Sequence, residues 1–245
     1  MSGQMIKAFA FDVFGTLVDT ASISKVFLEI GIKLNDPKLF AEIWHSKQIQ
    51  YALIINATGR RFESFSQLSL RALRFTAKIY HLQLDVEQAN KINEAKLNLN
   101  PFPDSKRGLE KLKAKGKNTI IAILSNGETN KTDKLLSNIG LRQYFDYIIS
   151  AEDVKKYKPS PEPYDLSSKR LGISISHICL VSSNLWDIAG GQAVGMQTCW
   201  INRGEDVKAS EELDIKPEYA FDIIGKIKEA FVITDKTMKY ADKMV

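Results

Sequence analysis

The sequence predicts an α/β protein: a parallel sheet with helices on both faces, and a helical lobe inserted after its first strand. Two observations predict this. From residue 104 onward, apolar strand-like runs alternate regularly with helical patterns. The first strand-like run, residues 6–13, is cut off from that alternation by residues 22–99, which carry helical periodicity and few strand signals.

Residues 6–13 (IKAFAFDV) read as a buried strand, and Phe14-Gly15-Thr16 as the turn that follows it. The runs FAEIWHSKQIQYALI and SQLSLRALRFTAKIY carry the helical block, which Pro101 and Pro103 close. A helix then runs to about Lys115, and the strand TIIAILS ends at Asn126-Gly127. A helix over about 130–140, the strand YIISA, a helix near 161–171 and the strand HICLVSS follow. A helix over about 185–195 and the strand QTCWIN complete the pattern. The expected division is a Rossmann-like core of residues 1–19 and 101–245, and a helical cap of residues 20–100 over the sheet's C-terminal edge.

Composition narrows the function. The chain has 245 residues, 44% of them hydrophobic, enough for a sizeable core and a small second lobe. A charged fraction of 26% gives no sign of disorder. Cys179 and Cys199 lie in strand-like runs and read as buried small hydrophobes, not as a disulfide framework. The net charge is +5, and the densest basic stretch runs from Lys106 to Lys117. Leu109 and Leu112 in that stretch share a helix face, so its lysines read as a solvated face and no nucleic-acid partner is expected. A mildly basic surface still favours small anions. No apolar run approaches the ~20 residues that span a bilayer, so no membrane partner is expected. Asp12 interrupts the apolar residues 8–14 and no cleavage site follows, so the expected location is cytoplasmic.

Ligands of such folds bind at the C-terminal edge of the sheet. Four separate segments bring polar groups to that rim: Asp12 to Thr16, Ser125-Asn126, Lys158, and Ser182 to Asp187. A carboxylate at a strand end suits a nucleophile that forms a covalent ester. The Ser125 hydroxyl and nearby backbone N–H groups suit a small carboxylate.

In order along the chain, FDVFGTLVD, LSNG, YKPSPEPY and VSSNLWD resemble the four motifs of the haloacid dehalogenase (HAD) superfamily. The likeness covers residues 6–19 and 101–205. WHSKQIQY and CWINR are similar to segments of its (S)-2-haloacid dehalogenase branch. The resemblance implies a HAD-like fold and a metal-independent hydrolase in which Asp12 attacks C2 of a short 2-haloacid, with no cofactor. Lys158 would hold Asp12 ionised, braced by Tyr164. Asp187 would be the base that activates water, with Thr16, Ser182 and Asn184 orienting it. Ser125 would bind the substrate carboxylate and Asn126 the halogen, while Val13, Phe14, His45 and Trp186 complete the substrate pocket. A homodimer is compatible with the branch.

Three positions depart from related patterns. Phosphatases of the superfamily carry an acid where this chain has Phe14, and a Gly-Asp pair where it has Val181-Ser182, so no bound metal is expected. The branch's cap motif places an arginine after its tryptophan, where this chain reads Trp44-His45-Ser46-Lys47-Gln48. Histidine is only partly charged near neutrality. Three readings follow: His45 meets the leaving halide weakly, Lys47 or Arg60 substitutes for the arginine, or the leaving group differs. The alternatives are therefore a carbon–nitrogen ring-opening hydrolase acting on a strained cyclic amino acid, a phosphatase, or a binding module without turnover.

Overall fold

The computed structural model describes residues 5–115, 119–203, 215–221 and 224. The end of the basic stretch at Lys117 and most of the last forty residues of the expected core lie outside the described residues.

Six parallel strands form one sheet in the order β3-β2-β1-β4-β5-β6. They are β1 (Ala8–Phe11), β2 (Ile120–Ser125), β3 (Tyr147–Ser150), β4 (Ile178–Ser182), β5 (Gln197–Ile201) and β6 (Tyr219–Phe221). The expected strands are all present. β6 was not anticipated, because three residues are too few to show a period. The sheet winds outward from β1 in one direction through β2 and β3, then in the other through β4 to β6. The crevice between the ends of β1 and β4 is therefore the switch point where such sheets bind ligands. Register places Phe11 level with Ile123 of β2 and Val181 of β4, so the residues that follow all three strands leave the sheet side by side.

β1 is completely buried, and its alternation sorts the two cores. Ala8 and Ala10 pack with Leu124, Leu180 and Tyr164. Phe9 and Phe11 pack into a larger cluster that continues into the helical segment through Phe27, Phe40, Trp44 and Leu73. Cys179 and Cys199 are buried free thiols.

Between β1 and β2 lie α1 (Ser24–Glu29), α2 (Pro37–Thr58), α3 (Phe65–Ile79) and α4 (Val86–Glu94). Asp36 caps α2 through the Leu39 N–H, Pro37 opens its first turn, and Gly59 ends it in the left-handed region at φ 61°. Ser64 and Gln67 form a capping box for α3. Phe40, Trp44, Gln48, Ala52 and Ile55 make one buried stripe along α2, in which Gln48 is the polar exception. After them α5 (Ser105–Lys115) leads into β2, while α6 (Thr129–Asn138), α7 (Pro161–Leu171) and α8 (Leu185–Ala193) lie between the later strands. The helical segment is tied to the loop after β3: Asn56 exchanges two hydrogen bonds with the Tyr157 backbone, at 2.7 and 3.1 Å. The Tyr157 hydroxyl donates to the Glu63 carbonyl, and its ring stacks on Phe62.

Candidate active site

The apolar strand β1 ends at Phe11, and Asp12 is the first residue past it, with 4% of its surface exposed. Its carboxylate accepts from three groups: Oδ2 takes the Thr16 hydroxyl at 2.8 Å and the Asn184 amide at 2.9 Å, and Oδ1 takes Lys158 Nζ at 3.0 Å.

 Thr16 is itself fixed, since its oxygen accepts the Ser183 N–H at 2.9 Å. Arg203, from the segment after β5, holds the same turn by donating to the Thr16 carbonyl at 2.8 Å while pairing with Asp104 at 2.7 Å.

Lys158 is 1% exposed and spends its ammonium protons on three acceptors: Asp12, the Leu124 carbonyl at 2.8 Å, and Asp187 at 2.7 Å. Burial works against its charge, but Asp12 and Asp187 outweigh burial and hold its pKa above the ordinary lysine value. Asp187, fully buried in the first turn of α8, takes Lys158 on one oxygen and the Tyr164 hydroxyl, at 2.7 Å, on the other. Its pKa is raised, first by burial and against the pull of Lys158. The residue at the N-cap of α8 is Asn184, so Asp187 is not the cap; the Asn184 amide turns away to Asp12 and to the Phe14 carbonyl. Burial, and then Asp187, push the Tyr164 hydroxyl well above its usual range.

A cavity of about 10 Å³ adjoins Asp12, walled by Phe14, His45, Ile49, Phe65, Asn126, Asn184 and Trp186. Asn126 accepts the Lys158 N–H through Oδ1, which leaves its buried Nδ2 without a partner. The Ser125 hydroxyl accepts the Gly127 N–H at 3.0 Å, and the Ser182 hydroxyl accepts the Asn184 N–H at 3.1 Å. Val13 does not line the cavity: strand alternation turns its side chain into the core beneath, alongside Phe11 and Leu17.

The helical side corrects the expectation for His45. It does face the cavity, but it is not partly charged. Burial, and then the nearby Lys96 ammonium, lower its pKa to about 3, so it is neutral throughout the physiological range. Neither expected substitute reaches the site. Lys47 bonds Gln50 and lies 4.4 Å over the Phe75 ring, and Arg60 is exposed on a groove with Tyr51 and Arg71. Sequence reasoning missed Ser183, Phe65 and Lys96. The polar Gln48 in the apolar stripe of α2 was the available signal for Lys96, whose ammonium it receives at 2.6 Å.

The fold and the site together define an α/β protein with a carboxylate–lysine–carboxylate cluster at its switch point, facing a cavity closed by helices. The chain matches the haloacid dehalogenase-like hydrolases over residues 6–195 and belongs to that family. It is 35% identical to an (S)-2-haloacid dehalogenase of Pseudomonas fluorescens, over 87% of this chain and 91% of that one. It is 34% identical to haloacetate dehalogenase H-2 of Moraxella sp. (strain B), over 91% of this chain and 97% of that one. The structure of L-2-haloacid dehalogenase from Xanthobacter autotrophicus with chloropropionic acid covalently bound superposes with a TM-score of 0.81 at 26% identity, covering 91% of this chain and 97% of that one.

Proposed function

We propose that the chain hydrolyses the carbon–halogen bond of a short 2-haloacid to the 2-hydroxy acid, as its relatives' names describe for them. The observation that carries this is Asp12: a carboxylate held by Lys158, Thr16 and Asn184 at the mouth of a small, largely aromatic cavity, with Phe14 and Ser182 where related phosphatases carry acids. An Asp12 oxygen attacks C2 from the side opposite the halogen. The carbon–oxygen bond forms as the carbon–halogen bond breaks, the halide leaves with the electron pair, and the centre inverts. Water then adds to the Asp12 carbonyl carbon, the bond from that carbon to the ester oxygen breaks, and the 2-hydroxy acid leaves with the former Asp12 oxygen while the water oxygen stays in the Asp12 carboxylate. In this reading Asp187 takes the water proton, and its raised pKa suits a base. Ser125 and Asn126 hold the substrate carboxylate and halogen. Residues 20–100 act as a cap over a core formed by 1–19 and 101–245.

Halide release from the two 2-chloropropanoate enantiomers, with and without EDTA, tests the proposal. Release from one enantiomer with inversion, unaffected by EDTA, is expected. Magnesium-dependent cleavage of a phosphate ester would favour the phosphatase reading, and turnover of a strained cyclic amino acid without halide release the ring-opening one.

A further inference from the structure

We propose that Lys96 supplies the positive charge that meets the departing anion, acting across His45 from a polar chamber behind Phe14. This rests on the proposed dehalogenation. A leaving halide gains a full charge as its bond breaks, so a cation that meets it in the transition state speeds the step. Lys158 is committed to two carboxylates and His45 is neutral, so the site needs another source.

Lys96 lies in the short 3-10 turn Ala95–Asn98. Its ammonium sits 4.3 Å over the Trp44 ring and 2.6 Å from the Gln48 side-chain oxygen, the residues one place before and three places after His45 on α2. Gln48 is locked by its own bond to the Phe65 carbonyl at 2.8 Å. The charge on Lys96 is felt at His45, where it is one of the two causes that keep the ring uncharged.

Beside Lys96 is a chamber of about 30 Å³, room for a guest the size of water or a halide. Phe14 and Phe65 line both this chamber and the cavity at Asp12. Ser69 and Thr132, each 1% exposed, line it with hydroxyls that have no partner, and so does the Asn93 side-chain oxygen. Buried donors without partners are costly, so the chamber is built for a small hydrogen-bonding guest. The charged groups around Lys96 are Glu128, which favours its protonation, and Glu94 and Lys131, which pair with each other at 3.4 Å. Asp133 of α6 is committed to Arg142, and the turn Thr20–Ile23 carries no titratable side chain. Burial lowers the Lys96 pKa to about 7 against the support of Glu128. Its charge is therefore present below about pH 7 and lost as pH rises through that value.

The test compares wild type, Lys96→Arg and Lys96→Met in the full chain, with 2-chloro- and 2-bromopropanoate from pH 5.5 to 9 and with ³⁵Cl line broadening as a binding readout. Wild-type kcat should fall as pH rises through about 7. The Arg variant should lose that fall, and the Met variant should be slower by roughly ten- to a hundredfold at low pH, more so with chloride as the leaving group. Excess ³⁵Cl broadening should follow the same order. If the Arg variant keeps the wild-type pH fall, or the Met variant broadens chloride as wild type does, the role of Lys96 is overturned while dehalogenation stands. If no form releases halide, the proposed function fails, and the chloride readout alone then decides whether Lys96 holds an anion.

Discussion

On the sheet side of the site, Asp12, Lys158, Asp187 and Tyr164 form a chain in which each charged or hydroxyl group has its partner. On the helical side, His45, Ser69 and Asn93 keep buried polar atoms with none. The closed half sets charge and geometry before any ligand arrives, which is what preorganised electrostatics requires. On the function proposed above, the open half is where a ligand would complete the bonding. Substitutions on the two sides should therefore fail differently, the first through chemistry and stability, the second through the leaving group and pH.

The largest effect belongs to Asp12→Asn. The fold should survive, since Thr16 and Asn184 still have an amide oxygen to bond, and turnover should fall by roughly a thousandfold or more. Single turnover of wild type in H₂¹⁸O should place the label in the Asp12 carboxylate. Label found only in the product would mean that water attacks the substrate directly.

Lys158→Met should rank next. It strands Asp12 and Asp187 as buried carboxylates without their shared cation, a loss of about 3–5 kcal/mol for one partner of a buried pair. The sign with pH is definite. The folded pKa of Lys158 lies above the unfolded value, so its contribution is complete below about 10.4 and is lost as pH climbs through the folded value. Urea midpoints at pH 7 and pH 11 should therefore lie closer together in the variant than in wild type. Equal differences in both proteins would refute the assignment.

The third change probes how the closed half is held. A Cβ on Gly190 would collide with the Tyr164 hydroxyl and lie 2.7 Å from Pro159 Cβ. Gly190→Ala should push Tyr164 off Asp187 and cost about 1–3 kcal/mol of stability by overpacking. Adding Tyr164→Phe removes the colliding hydroxyl and should recover part of that loss. Additive losses in the double variant, by thermal denaturation, would place the strain elsewhere.

How much of this was legible depended on the side. Asp12, Lys158 and Asp187 could be placed because each follows a strand, and parallel strands bring their C-terminal ends to one rim whatever the side-chain packing. The neutral state of His45 could not be read from its type, because burial and a lysine fifty-one residues away set it, and that lysine reaches α2 only through tertiary packing. Val13 was misplaced for a smaller reason: its neighbours in sequence face the site, but its own side chain alternates into the core.

The smallest predicted effect separates the two candidates on the open side. His45 is neutral at any pH where the enzyme would be assayed, so it can contribute a hydrogen bond but not a charge. His45→Asn keeps an uncharged polar group in the cavity wall and should lower turnover by about 1 kcal/mol, the size of one neutral hydrogen bond, or roughly fivefold. The pH profile is the sharper readout. If Lys96 carries the charge, the fall near pH 7 must persist in His45→Asn, because the titrating group is untouched. Removing the imidazole also removes whatever constraint that ring places on the ammonium, so a modest displacement of the midpoint is compatible with this reading, whereas its disappearance is not. A profile that turns flat in His45→Asn would return the titration to the histidine and erase the distinction between the two halves of the site.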